Sequence, residues 1–313
     1  MTQRSTSRVQ LWAIVVLLGA GLGITAFLFS RQTGSTVAVP ETTTTTTSVP
    51  TTTTAPSTTT TVAETTTTAT TIPVRDPNTV PGFTVGQPWG TTVGLTMFRG
   101  NPTRTYYGAG DVSNQPHVDW TYPDSPMCGT SSVGSETSVW CGSGWTGQPV
   151  VWERPDGVTE VIFGAYDKAV HFVDAATGTD LRPKFQTGDI IKGSVTLDPD
   201  GYPLLYFGSR DNKVRIVALD RDVPTLLWSM DANEVNGIWN NDWDSNPVVV
   251  DDIMYEGGEN SWVFGVVLNR GYGDDGLVTV DPEKVLQMPG YTDEEISHSG
   301  TNVSIESSVA VFD

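Results

Sequence analysis

The stretch Gly147–Trp228 contains one supersecondary unit written twice, and this internal repeat limits the fold more than any other feature of the chain. Each copy is a short apolar run, a polar turn, an aromatic-plus-glycine strand, an Asp-containing turn, an alternating strand ending in Asp, and a last strand closing on an aromatic residue. VIFGAYD in the first copy answers LYFGSRD in the second, and VDAATG answers VALD. Phe163 and Gly164 recur as Phe207 and Gly208 at a shift of 44, and Gly147 recurs as Gly193 at a shift of 46. The two-residue difference in the later part of the unit is one strand period, so the inward and outward faces keep their places.

A period in the forties with four strands per period predicts an all-β fold, a β-propeller built of four-stranded antiparallel blades. A third copy follows, with Tyr255–Asn269 lying on Tyr206–Asp220 at a constant shift of 49. Ser307–Phe312 reads as the first strand of a fourth unit, so the expectation is an incomplete propeller of about four blades in a C-terminally truncated chain.

Ahead of the repeats, residues 11–29 are 19 positions without a charge. At about 1.5 Å per residue they just cross a hydrocarbon core of about 30 Å. Arg4 and Arg8 precede them with no acidic residue, which places 1–10 in the cytoplasm and everything after Phe29 outside. An uncleaved, single-pass signal anchor is favoured over a removed signal peptide, because no small-x-small cleavage site stands out. Residues 30–73 are a linker that is almost entirely Thr with scattered Pro from Glu41 onward. Such a tract cannot form a packed core and reads as an extended stalk open to O-glycosylation. The globular part is then 74–313.

Formal net charge is -19, which argues against nucleic-acid and anionic-lipid partners and in favour of solubility outside the cell or cation binding. Cys128 and Cys141 are the only cysteines, and on the exported side of the anchor a disulfide is the natural reading. With three dispersed histidines, His117, His171 and His298, no zinc or haem spacing exists.

The unit consensus resembles the repeats of the PQQ-type (quinoprotein-like) β-propellers, and MFRGNPTRTYYG from Met97 to Gly108 is similar to the opening of many such domains. VDWTYP around Trp120 resembles the outer strand completing a first blade. The resemblance implies either a binding and scaffold module or a dehydrogenase using PQQ and Ca²⁺. Enzymes of that group carry an adjacent Cys pair, whereas the cysteines here are 13 apart, and no complete set of calcium ligands with a base aligns. Binding is therefore expected rather than catalysis.

The residue pattern supports the fold independently. Gly164, Gly208 and Gly257 end strands where neighbouring units crowd together. Trp120, Phe185 and Trp228 close successive outer strands against the next unit. Asp167 and Asp211 suit hairpin turns, and His171 shares strand parity with Arg215, which makes it an interblade residue rather than a base.

Connections from one unit to the next are unequal: 8 positions from Phe185 to Gly193, 17 from Trp228 to Ser245, and 27 from Trp120 to Gly147. The second places Trp239 and Trp243 among Asn240, Asn241, Asp242 and Asp244. Flat rings beside amides and carboxylates suit a glycan or peptide, and Asp242 and Asp244 are candidate oxygen ligands for Ca²⁺. The competing reading, tryptophans that plug a central channel beside acids that are merely solvated, is the favoured one. GYGDDG at 271–276 and TDEE at 292–295 read as exposed loops. The expected function is an extracytoplasmic, membrane-anchored module for a protein, glycan or cell-wall partner.

Overall fold

The computed structural model describes residues 85–111, 113–144 and 147–312. The expected cytoplasmic end, anchor and stalk lie outside the described residues. Among those described, no helix is long and apolar enough to cross a membrane.

The three repeats form three successive antiparallel sheets. In the first, β4 (Val150–Glu153), β5 (Thr159–Ala165), β6 (Ala169–Asp174) and β7 (Phe185–Gln186) follow in chain order, and β1 (Gly94–Leu95) adds to the edge of β4. The second is β8 (Thr196–Leu197), β9 (Leu204–Ser209), β10 (Lys213–Ala218) and β11 (Thr225–Asp231). The third is β12 (Val248–Val250), β13 (Ile253–Gly257), β14 (Trp262–Val267) and β17 (Glu283–Pro289). A hairpin of β15 (Gly271–Tyr272) and β16 (Val278–Thr279) is inserted ahead of β17. Another hairpin, β2 (Cys128–Val133) and β3 (Glu136–Cys141), precedes the first sheet. Cys128 and Cys141 face each other across its register and form the disulfide.

The middle sheet is covered on both faces. Leu205, Phe207 and Val217 pack with Ile162 and Phe172 of the first sheet. Leu204, Tyr206 and Ile216 pack with Met254, Phe264 and Val266 of the third. Adjacent strand residues point to opposite faces, so double coverage requires the continuous apolar run Leu204–Phe207, and all four residues are fully buried.

One contact recurs three times. A Cβ on Gly164 would stand 2.2 Å from Ile191, one on Gly208 2.2 Å from Trp243, and one on Gly257 2.7 Å from Ile305. Each glycine thus leaves room for the side chain that leads into the next segment, which is the close approach the repeat spacing implies.

Three local expectations are corrected. Residues around Trp120 form no strand; its indole packs instead on Gly178 and donates to Ala175 O (3.0 Å), so the ring covers the first sheet without a ladder. Ser307–Phe312 forms no strand either: Val311 N bonds Pro102 O (3.0 Å), while Val309 and Val311 pack against the Met97, Val248 and Val250 cluster. TDEE opens a short helix, Asp293–Ser299, because Thr292 and Glu295 form a reciprocal capping box that satisfies its first amides. GYGDDG runs from β15 into the turn of the inserted hairpin.

Candidate functional site

The segment between β11 and β12 is shaped by a 3-10 turn, Ala232–Glu234, capped by the Asp231 carboxylate accepting from Asn233 N. Asn260 pins the chain on either side of Val235, donating through Nδ2 to Ala232 O (2.9 Å) and accepting at its carbonyl from Ile238 N (2.9 Å). The chain then runs extended through 242–244, so Asp242 and Asp244 share one side and Trp243 takes the other.

This alternation divides the expected binding residues. Trp243 is fully buried against Gly208 and Phe264, with its ring 5.4 Å from the phenyl, and is a core residue. Trp239 is 59% exposed. Asn240 donates to Glu259 Oε2 (2.8 Å), which turns its amide inward, whereas Asn241 donates to the exposed Asn233 Oδ1 (2.6 Å) at the surface. The two rings therefore do not form one platform.

Asp242 and Asp244 converge with Glu259, each offering an oxygen within 4.8 Å of the others, and all three are buried. Lys192 Nζ lies among them, 2.9 Å from Asp242 Oδ2, 2.5 Å from Asp244 Oδ2 and 3.5 Å from Glu259 Oε1. Arg210 Nε stands 3.6 Å from Asp242 Oδ2. Asp242 Oδ1 accepts from Trp243 N (2.8 Å), whereas the buried Asp244 Oδ1 accepts no hydrogen bond from the protein. Burial, then the neighbouring Asp242, pushes the Asp244 carboxyl up to about 8, with Lys192 opposing. Burial likewise raises Asp242 against the pull of Lys192. Burial works against the Lys192 ammonium, but Asp242 and Asp244 outweigh it and hold its pKa above the ordinary range.

Three buried carboxylates are the donor set of a hard cation. Here a protein cation fills the middle of that set, and Asn240 takes the second oxygen of Glu259. The group does not fit a resident Ca²⁺ alongside Lys192.

A second feature lies beside the disulfide hairpin. A cavity of about 250 Å³ is bounded by Tyr122, Met127, Ser143, Gln148, Val161 and Phe163, with bare glycine backbone completing its wall. Tyr122 Oη donates to Asp180 Oδ1 (2.6 Å) and meets His171 Nδ1 (2.9 Å). His171 is fully buried, bonds Asp167 through Nε2 (2.9 Å) and stacks on Phe163 at 5.1 Å between centroids. Burial, followed by the Asp180 hydrogen bond, holds the Tyr122 phenol above its ordinary range. Asp211 repeats the arrangement one unit later, pairing with Arg215. Both aspartates anchor a side chain four positions on, and Asp211 Oδ1 also accepts from Lys213 N of its own turn (3.3 Å).

No family model matches the chain, and no curated protein matches it.

Proposed function

We propose that 74–313 is part of a β-propeller of the quinoprotein-like kind, each sheet being one blade. It is carried outside the cell on a single-pass anchor and a Thr-rich stalk, and acts as a binding and scaffold module for a protein, glycan or cell-wall partner. Three consecutive four-stranded meanders with one glycine contact repeated between each and the next segment support the blade reading. The cavity beside the disulfide hairpin carries the binding reading: its aromatic and apolar walls, with a few polar groups, suit a partly apolar ligand. The carboxylate group around Lys192 is closed upon itself and belongs to the interior.

The test is a calorimetric titration of the full-length chain with soluble disaccharide-peptide fragments of cell wall, which present sugar and peptide together. Met127→Trp, which fills the cavity, is expected to weaken binding at least tenfold. Absence of binding, or equal binding by the variant, refutes the cavity as the site. Retention of quinone absorbance after mixing with PQQ and Ca²⁺, together with dye-linked alcohol oxidation, replaces the module reading with the dehydrogenase one.

A further inference from the structure

Lys192 and Asp244 present an amine and a carboxyl in contact and buried, on the segments that lead into two different sheets of the exported domain. Lys192 leads into β8 and Asp244 leads into β12. Their side chains are 9% and 2% exposed, and Nζ lies 2.5 Å from Oδ2. Two further carboxyls touch the same nitrogen, Asp242 at 2.9 Å and Glu259 at 3.5 Å. We infer that Lys192 and Asp244 are joined by a self-catalysed intramolecular isopeptide bond, with Asp242 and Glu259 as the proton carriers.

The geometry meets the three requirements of that reaction. The nucleophile and electrophile are held at contact, and such pairing corresponds to effective molarities of about 10⁵ M or more, which favours condensation over hydrolysis. The acceptor must carry a proton so that its hydroxyl can leave as water. Asp244 is the carboxyl whose Oδ1 has no donor directed at it, and burial beside Asp242 favours its protonated form. The nitrogen must lose its extra protons, and two carboxylates stand ready to accept them. Trp243 N and Arg210 favour the ionised form of Asp242 against its burial, and Glu259 is held in place by Asn240.

The atoms balance without an oxidant or reductant. The Lys192 ammonium gives one proton to Asp242, and its freed lone pair forms the bond to Cγ of protonated Asp244. A second nitrogen proton passes to Glu259. The Cγ–OH bond then breaks as Asp242 returns its proton to the departing hydroxyl, which leaves as water. An ammonium and a carboxyl become one secondary amide, one water and one proton resting on Glu259. The product places a neutral amide where a buried ammonium stood, which removes a charge whose desolvation is costly. It also covalently ties the segment leading into β8 to the segment leading into β12.

The test is tryptic mapping by mass spectrometry of the full-length chain, purified folded and then reduced at Cys128 and Cys141. The expected product is a branched species joining Phe185–Arg210 to Asp222–Arg270, one water lighter than the two peptides together. Fragment ions should place the branch at Asp244. Asp244→Ala is expected to return the linear peptides ending at Lys192 and starting at Gly193. Glu259→Gln, with an unchanged circular dichroism spectrum, should lower the branched fraction at least tenfold in freshly made protein. Full yield of the linear peptides from folded wild-type protein overturns the bond and leaves an ion-pair cluster; a branch at Asp242 overturns the assigned acceptor.

Discussion

Glu256 makes the stability of the domain depend on pH in a direction that can be worked out. It lies fully buried on β13, where the first two repeats carry Phe163 and Phe207. Oε1 accepts from Ser245 Oγ (2.7 Å), and Oε2 accepts nothing from the protein. Burial pushes the carboxyl from its ordinary 4.5 up to about 8, against the Ser245 hydrogen bond and the charge of Arg104. The Arg104 guanidinium is committed elsewhere, to Phe98 O, Val309 O and both oxygens of Asn246. Burial brings Arg104 down to about 9, and these acceptors favour its charged form. Between pH 4.5 and 8 the folded chain holds a proton on Glu256 that the unfolded chain has released. The contribution of this group is therefore complete below about 4.5 and declines as pH rises through 8. At about 1.4 kcal/mol per unit, the window corresponds to roughly 5 kcal/mol at most. Urea unfolding of wild type and Glu256→Gln at pH 5 and pH 8.5 isolates it, since other titrating groups are common to both. The wild type should lose about 3 to 5 kcal/mol relative to the variant between these values. Parallel profiles would show that Glu256 is already ionised at pH 5 and paired with Arg104, which refutes the reasoning.

Gly208→Ala would place a Cβ 2.2 Å from that of the buried Trp243, and a loss of about 1 to 3 kcal/mol in urea unfolding at pH 7 is expected, whereas an unchanged midpoint would show that Trp243 can move. Arg182 pairs with the fully buried Glu160 through Nε (2.8 Å) and Nη2 (3.0 Å) and reaches Leu219 O of the second sheet (2.8 Å). Arg182→Ala should cost about 3 to 5 kcal/mol, read by the fluorescence of Trp152, whose indole also bonds Glu160 (3.0 Å). Replacing Cys128 and Cys141 together by Ser releases a constraint of about 3 kcal/mol on the unfolded chain. Because the pair lies in its own hairpin, faster proteolysis within 128–141 should precede any loss of the three sheets.

The repeat made the strands legible because strand order follows from period alone when units are joined by short turns. The internal alignment of the units also held the carboxylate group in a form that residue type concealed. With Gly193 answering Ser245, Lys192 answers Asp244, and at the shift of 49 Arg210 answers Glu259. Equivalent positions in successive units stand side by side, so a cation in the second unit and an acid in the third are placed to meet. The expectation that Trp239–Asp244 act together did not contain this, because neighbours of like chemistry in sequence are divided by the alternation that sends Trp243 to the core and Asp242 and Asp244 to Lys192. The cavity was less legible. Tyr122 and Met127 lie far from Phe163 in the chain, and the strandless course of 113–127 brings Tyr122 over the first sheet.

The third unit shows why sequence similarity fades while architecture persists. Its outer strand, β17, is displaced by the inserted hairpin and has no counterpart at the repeat spacing. It still pairs with β14 over Trp262–Val267, because a strand edge with free amides and carbonyls is satisfied by any extended segment of matching length. What the unit cannot vary is the glycine facing the next segment: Gly257 is retained although the residue before it has changed from Phe to Glu. Backbone approach tolerates no Cβ there, whereas the neighbouring pocket tolerates a carboxyl provided that it stays protonated. The constraint that defines the repeat is thus steric at Gly257 and electrostatic at Glu256, and only the first is visible as a repeated spacing within the chain.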